Sequence, residues 1–144
     1  CNCDVTFGTR RGTNRTSMET RGQAMKTILI VDDSKTIRRL LRKALRNEPY
    51  WIAEASNGRE ALTIIQTTIP DAIVSDIHMP DVDGISFISS VRSDSRFKAL
   101  PILVLTTEHD SVFKERARAA GATAWLQKPF EDITVPSALA RLLA

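Results

Sequence analysis

From Met25 onward, short apolar runs of strand length alternate with segments whose apolar residues recur at the period of a helix. Five runs of four to six residues read as strands: 27–31, 50–55, 72–75, 102–105 and 123–126. Runs that are apolar throughout are typical of strands buried on both faces. The alternation therefore predicts an α/β domain with a five-stranded parallel sheet and helices on both faces of the sheet.

The predicted helices carry recognisable start and stop signals. The segment 34–46 has one apolar stripe and a cationic opposite face, which we interpret as a solvated surface. Asn57 is suited to cap the second helix while Glu60 reaches back from three residues later. Gly121 ends the fourth helix. Pro136 lacks an N–H and is tolerated only in a first turn, so we expect the fifth helix to begin near Thr134.

Residues 1–24 differ in composition from the rest of the chain. They are rich in Gly, Thr, Arg and Asn and show no apolar period, which predicts a disordered tail or upstream sequence before a natural start at Met25. The tail carries four arginines and two acidic residues, whereas residues 25–144 carry 16 basic and 15 acidic residues. The folded part is thus nearly neutral, and the net charge of +3 does not indicate nucleic-acid binding.

Composition also argues against several other classes of protein. No window is apolar enough to cross a bilayer, and the N-terminus lacks the apolar core of a secretory signal, so we expect a cytoplasmic protein without membrane insertion. Cys1 and Cys3 lie in the tail, far from both histidines in the sequence. A structural zinc site, which needs four ligands, is therefore not expected.

Charged and hydroxyl side chains follow four of the five predicted strands. They are Asp32 and Asp33 after the first strand, Asp76 after the third, Thr106 and Thr107 after the fourth, and Lys128 after the fifth. The carboxyl ends of parallel strands share one rim, which is where ligands bind in such sheets. Three clustered carboxylates repel one another, and a divalent cation relieves that repulsion. Ligands that are all oxygen favour Mg²⁺.

Each of these residues also has a simpler explanation. Asp32 and Asp33 can cap the first helix, although one cap residue would suffice. Asp76 can be a turn residue, Thr106 an ordinary β-branched strand residue, and Lys128 an ordinary lysine at a strand end.

Four stretches at strand ends form a recognisable set: VDDS at 31–34, SDIHMPDVDG at 75–84, LTTE at 105–108 and KPF at 128–130. In this order and spacing they resemble the receiver domain of two-component response regulators, and 106–130 looks most like stand-alone chemotaxis receivers of the CheY type. The resemblance implies one receiver domain over 25–144, a monomer, and a flavodoxin-like fold with strand order 2-1-3-4-5.

The resemblance implies a signalling phosphoacceptor rather than a classical enzyme. Asp76 would accept a phosphoryl group from the phosphohistidine of a CheA-like sensor histidine kinase, with self-catalysed transfer and autodephosphorylation. Asp33 and Asp76 would bind Mg²⁺ (or Mn²⁺) directly, Asp32 would bind it through water, and the backbone carbonyl of His78 would add another oxygen.

Further roles follow from the same resemblance. Lys128, Thr106 and Thr107 would contact the phosphoryl group, while His78 and Glu108 would tune its lifetime by controlling the access of water. Pro129 matches the proline of a Lys-Pro bond that is often cis in this family.

Output would depend on Thr106 moving toward the phosphoryl group while Trp125 turns inward. Receivers usually carry Tyr or Phe at the position of Trp125, so we expect incomplete switching; a static interface anchor is the alternative role for this Trp. The family suggests a flagellar motor switch protein or a phosphatase as output partner.

Other functions compete with this one. A phosphate sink that drains the kinase and a receiver fragment of a longer regulator use the same site. A phosphatase of the haloacid dehalogenase type also has an Asp nucleophile and Mg²⁺, but it needs a second Asp where this chain has His78.

Overall fold

The computed structural model describes residues 25–77, 83–107, 111–128 and 133–144. Within these ranges the strands are β1 (Lys26–Val31), β2 (Tyr50–Ala55), β3 (Ala72–Asp76), β4 (Ile102–Thr106) and β5 (Ala124–Gln127). The α-helices are α1 (Lys35–Ala44), α2 (Gly58–Ile64), α3 (Gly84–Arg92), α4 (Ser111–Ala120) and α5 (Thr134–Leu143). A short 3₁₀ helix at Ser95–Phe97 follows α3.

The sheet has the order β2-β1-β3-β4-β5, and all four strand pairs are parallel. The predicted order 2-1-3-4-5 is therefore confirmed. The chain moves outward from β1 to β2 and then returns to the other side of β1, so the order reverses between β1 and β3. This reversal is the switch point at which ligands bind in open α/β sheets.

Two layers of side chains cover the sheet because successive residues of a strand point to opposite faces. Helices α1 and α5 cover one face, and α2, α3 and α4 cover the other. Ile28 and Ile30 belong to the first layer, whereas Leu29 and Val31 belong to the second, and all four are buried. Burial on both faces explains why the strands are continuous apolar runs. The polar residues therefore lie where the strands end, at the rim of the sheet.

Side-chain caps start α1 and α2 within one residue of the predicted positions. The Ile37 N–H donates to Ser34 Oγ at 3.2 Å, which starts α1 one residue later than predicted. The Glu60 N–H donates to Asn57 Oδ1 at 2.8 Å, as expected. The Glu60 carboxylate in turn accepts from the N–H of Ser56 at 2.6 Å, one residue before the cap. Helix α5 begins at Thr134, as predicted from the proline.

Some element ends differ from the prediction. Helix α1 ends at Ala44 rather than at 46, and β5 begins at Ala124 rather than at 123. Thr123 instead accepts a hydrogen bond from the Ile102 N–H on its Oγ1, at 3.0 Å. Gly121 ends α4 with a φ of 121°, a left-handed conformation that suits glycine. None of the helices in the described residues is long and apolar enough to cross a bilayer.

Candidate functional site

Three aspartates meet at the C-terminal rim of the sheet. Asp32 follows β1, Asp33 is its neighbour, and Asp76 is the last residue of β3. One carboxylate oxygen from each lies within 4.8 Å of those of the other two. The register of β1 and β3, which places Val31 opposite Ser75, brings them together. The convergence predicted from the sequence is therefore present.

Asp32 is the most buried of the three, with 1% of its surface exposed. Its N–H donates to the Ala55 carbonyl at 3.1 Å, and its Oδ1 accepts from the Ser34 N–H at 2.8 Å. Burial raises the pKa of Asp32 above its usual value, and the neighbouring Asp76 carboxylate adds to the rise; the Ser34 N–H and the Lys128 ammonium oppose it. Holding this carboxylate ionised is thus costly unless more positive charge is nearby.

Asp76 lies at the end of β3, inside the strand rather than after it, because its pairing with Leu105 of β4 continues the ladder. It is 6% exposed. The Ile77 N–H donates to its Oδ1 at 2.7 Å. The start of α3 packs against this strand end: a Cβ on Gly84 would lie 2.5 Å from Ile77 Cα. The position therefore requires glycine, and the close contact fixes the backbone that carries Asp76.

Lys128 supplies positive charge to the cluster. Its N–H donates to the Thr106 carbonyl at 2.8 Å, which fixes the chain just after β5 beside the end of β4. Its Nζ lies 3.4 Å from Asp32 Oδ2 and 3.3 Å from Asp76 Oδ1. One ammonium thus serves two buried carboxylates, and the exposed Asp33 adds a third negative charge. Three carboxylates and one ammonium leave a deficit of two positive charges.

The donor set fits a divalent cation. The cluster offers only carboxylate oxygens, which suit a hard ion such as Mg²⁺. Its charge deficit equals the charge of that ion. Exposure of Asp33 leaves one side open to water, and Mg²⁺ keeps several waters when it binds to proteins.

The two threonines at the end of β4 differ in their surroundings. Thr106, the last residue of the strand, is 2% exposed, and Thr107 is exposed. Both lie on the rim that carries the carboxylates. Trp125 of β5 is half-buried against the core layer under α2, α3 and α4, with Lys114 Nζ 5.9 Å from the centre of its ring.

Three residues that the sequence analysis singled out, His78, Glu108 and Pro129, lie outside the described residues. The roles predicted for them stay predictions.

Sequence reasoning missed one residue that contacts the site. The helical period predicts that Arg38 lies on the solvated cationic face of α1, but its side chain is only 16% exposed. Its Nη1 donates to the Asp32 carbonyl at 2.6 Å, and its Nε donates to Glu54 Oε1 at 2.9 Å. The available signal was Glu54, an isolated acidic residue within the run of β2.

The topology and the acidic cluster at the switch point are those of an open α/β protein with a candidate cation site. A family model described as "Response regulator receiver domain" matches residues 28–140. The chain therefore belongs to the response regulator receiver domain family, as the sequence motifs predicted.

Proteins of known name and structure agree with this assignment. Chemotaxis protein CheY1 of Helicobacter pylori is 36% identical over 105 residues, which cover 72% of this chain and 85% of that protein. The structure of the chemotaxis response regulator CheY4 of Vibrio cholerae is 42% identical, with a TM-score of 0.79, and the match covers 83% of this chain and all of that one.

A second similar structure contains a metal. The receiver domain of the sensor histidine kinase PA1611 from Pseudomonas aeruginosa has a magnesium ion coordinated in its active-site cleft. It is 27% identical, with a TM-score of 0.76, over 83% of this chain and 98% of that one.

Four other curated relatives, 35–44% identical, are longer proteins, and the chain spans only 8–46% of their length. Two of them are histidine kinases and two are regulators. The family is thus shared by proteins of different overall organisation.

Proposed function

We propose that this receiver domain is a phosphoacceptor, in which Asp76 takes a phosphoryl group from the phosphohistidine of a sensor histidine kinase in the presence of Mg²⁺. The observation that carries the proposal is the position of Asp76: a nearly buried carboxylate, 3.3 Å from a lysine ammonium, in a group of three aspartates. Such a group can accept phosphate only where negative charge is neutralised.

In the proposed transfer, a carboxylate oxygen of Asp76 attacks the phosphorus atom. An O–P bond forms, the N–P bond to the kinase histidine breaks, and the histidine nitrogen keeps the electron pair. When bound, Mg²⁺ supplies neutralisation of the charge on the phosphoryl oxygens. Asp33 and Asp76 would hold that ion directly and Asp32 would hold it through water, with the backbone carbonyl of His78 as the predicted third direct protein ligand.

We propose that Lys128 and Thr106 also bind the phosphoryl group. The Lys128 ammonium already contacts Asp76, so it is in reach of a group attached there. Thr106 ends the neighbouring strand, and we propose that its hydroxyl donates to a phosphoryl oxygen, with Thr107 beside it. Positioning and charge neutralisation are most of what phosphoryl transfer needs.

The domain would extend over 25–144, since β1 begins at Lys26 and α5 ends at Leu143. The likeness to CheY1 and CheY4 supports a role in chemotaxis, with a CheA-like kinase as donor and a flagellar motor switch protein or a phosphatase as output partner. A phosphate sink or a place within a longer regulator would use the same site. A monomeric state and a cytoplasmic location stay predictions.

A small phosphodonor tests the proposal without the natural kinase. Acetyl phosphate with Mg²⁺ should label the wild-type chain with one phosphoryl group, and no label should form when Mg²⁺ is chelated beforehand or in Asp76→Asn. Continuous hydrolysis of external phosphate monoesters without a labelled intermediate on Asp76 would contradict the proposal and favour a phosphatase.

A pull-down with and without beryllofluoride, a stable mimic of the phosphoryl group, addresses the output partner. A partner protein retained only with the mimic supports signalling, and the absence of such a partner supports a phosphate sink.

Trp125 offers a separate test of the output proposal. Trp51 is 63% exposed at the edge of the sheet, so Trp51→Phe leaves Trp125 as the reporter among the described residues. If Trp125 turns inward, beryllofluoride should shift its fluorescence emission to shorter wavelength in that variant. An unchanged spectrum would favour the static anchor.

A further inference from the structure

The segment that carries Asp32 and Asp33 is held by a residue from outside the acidic cluster. Arg38, at the end of the first turn of α1, donates from Nη1 to the Asp32 carbonyl at 2.6 Å. That carbonyl belongs to the peptide group that joins Asp32 to Asp33. Because a peptide group is planar, fixing its oxygen also fixes the direction in which the backbone enters Asp33.

The guanidinium is itself anchored on the neighbouring strand. Its Nε donates to Glu54 Oε1 at 2.9 Å, and Arg42 Nε contacts the other oxygen of the same carboxylate. Hydrogen bonds from Arg42 and Arg38 hold the pKa of Glu54 below its usual value, so this carboxylate is ionised at neutral pH. Glu54 is next to Ala55, whose carbonyl accepts from the Asp32 N–H at 3.1 Å. Both polar backbone atoms of Asp32 are thus tied to β2.

We infer that Arg38 is a positioning residue that fixes the Asp32–Asp33 backbone and thereby raises the affinity of the acidic cluster for Mg²⁺, an inference that rests on the proposed function. Asp33 is the exposed member of the cluster, so little surrounding packing holds its side chain. The position of its carboxylate is therefore set mainly by the backbone. Groups that orient metal ligands in this way typically change metal affinity by ~10- to 100-fold when they are removed.

Simple electrostatics predicts the opposite effect. A guanidinium close to a cation site repels the cation, so removing its charge should strengthen Mg²⁺ binding. Removing the negative charge of Glu54 should weaken it. Positioning predicts weaker binding for both changes, because Arg38→Met removes the Glu54–Arg38–Asp32 connection and Glu54→Gln weakens it by removing the charge that strengthens its hydrogen bond. The sign of the effect at Arg38 therefore separates positioning from a charge effect.

The test is calorimetric titration of Mg²⁺ into the full chain and its variants. Arg38→Met should bind Mg²⁺ about tenfold more weakly, and Glu54→Gln should also bind it more weakly. Arg39→Met is the matched control, since Arg39 is the exposed neighbour on the same helix and makes the same change in charge. Its affinity should stay within about twofold of wild type, as expected for a screened surface charge.

The outcomes distinguish this inference from the proposed function. Wild-type affinity or tighter binding in Arg38→Met overturns the positioning role while leaving the proposed function intact. If that variant fails to unfold cooperatively without Mg²⁺, Arg38→Lys decides, because it keeps the positive charge and loses the guanidinium; unchanged affinity there overturns the inference. If the wild-type chain binds no Mg²⁺, the proposed function fails and the inference fails with it.

Discussion

Removing one negative charge from the acidic cluster should stabilise the metal-free protein. Asp33 is the best choice, because it is exposed and the Lys128 ammonium contacts the other two aspartates. Asp33→Asn keeps the shape of the side chain while it removes two repulsive pairs. Without Mg²⁺ we therefore expect the variant to unfold at higher temperature than wild type, although it has lost a residue of the functional site.

The size of the effect follows from the geometry. An oxygen of Asp33 lies within 4.8 Å of an oxygen of Asp32 and of Asp76. Two unit charges at that separation repel by about 0.9 kcal/mol in the dielectric of water, which is the appropriate value for an exposed carboxylate. Two such pairs give about 2 kcal/mol. For a domain of this size that corresponds to roughly 5–10 °C in the unfolding temperature.

Thermal unfolding in low salt and EDTA measures this effect, and a second series with saturating Mg²⁺ completes it. Mg²⁺ at a hundred times its dissociation constant should stabilise wild type by about 2.7 kcal/mol. Asp33→Asn should gain much less. Salt at about 1 M, where the screening length is about 3 Å, should shrink the advantage of the variant in EDTA.

Glu115→Gln is the control for a general effect of charge. Glu115 is exposed on α4 and pairs with Arg118, so its removal should leave the unfolding temperature nearly unchanged. The reasoning about charge repulsion is refuted if Asp33→Asn is no more stable than wild type in EDTA, or if Glu115→Gln is stabilised equally.

Three further changes have definite expected outcomes. Asp32→Asn should also stabilise the metal-free protein at neutral pH, because burial raises the pKa of Asp32 in the folded state and its ionised form is therefore destabilising. This advantage should shrink as the pH falls through the raised pKa toward 3.8, since the wild-type carboxyl then becomes neutral too. Urea unfolding at several pH values measures the difference. Gly84→Ala should cost about 1–3 kcal/mol in urea unfolding, because its Cβ would press on Ile77; wild-type stability would show that the contact relaxes freely. Asn57→Ala should cost about 1 kcal/mol by removing the cap that accepts from the Glu60 N–H, and a neutral result would mean that the cap is replaced.

The fold and the rim of the site could be predicted because both depend on local patterns. Strands buried on two faces are continuous apolar runs, and polar residues stand out at their ends. Parallel pairing then brings those ends together without any knowledge of side-chain contacts. Asp32, Asp33, Asp76 and Lys128 converge for this reason.

Contacts between distant residues could not be predicted in the same way. Helical period assigns Arg38 to the polar side of α1, but its contact with Glu54 depends on how α1 lies across β2. Arg92 is a second example: its guanidinium donates to the Gly121 carbonyl, 29 residues away, at 2.7 Å and 3.0 Å. A cation that satisfies backbone carbonyls leaves no charge pattern in the sequence.

A crystal structure with Mn²⁺ and beryllofluoride would test the central claim most directly, because it locates the metal and the phosphoryl mimic in one measurement. The account predicts an anomalous peak for the ion at bonding distance from the carboxylates of Asp33 and Asp76. It also predicts the mimic on Asp76, in contact with Lys128 and Thr106. An ion bound away from these carboxylates, or the mimic on a different residue, would contradict it.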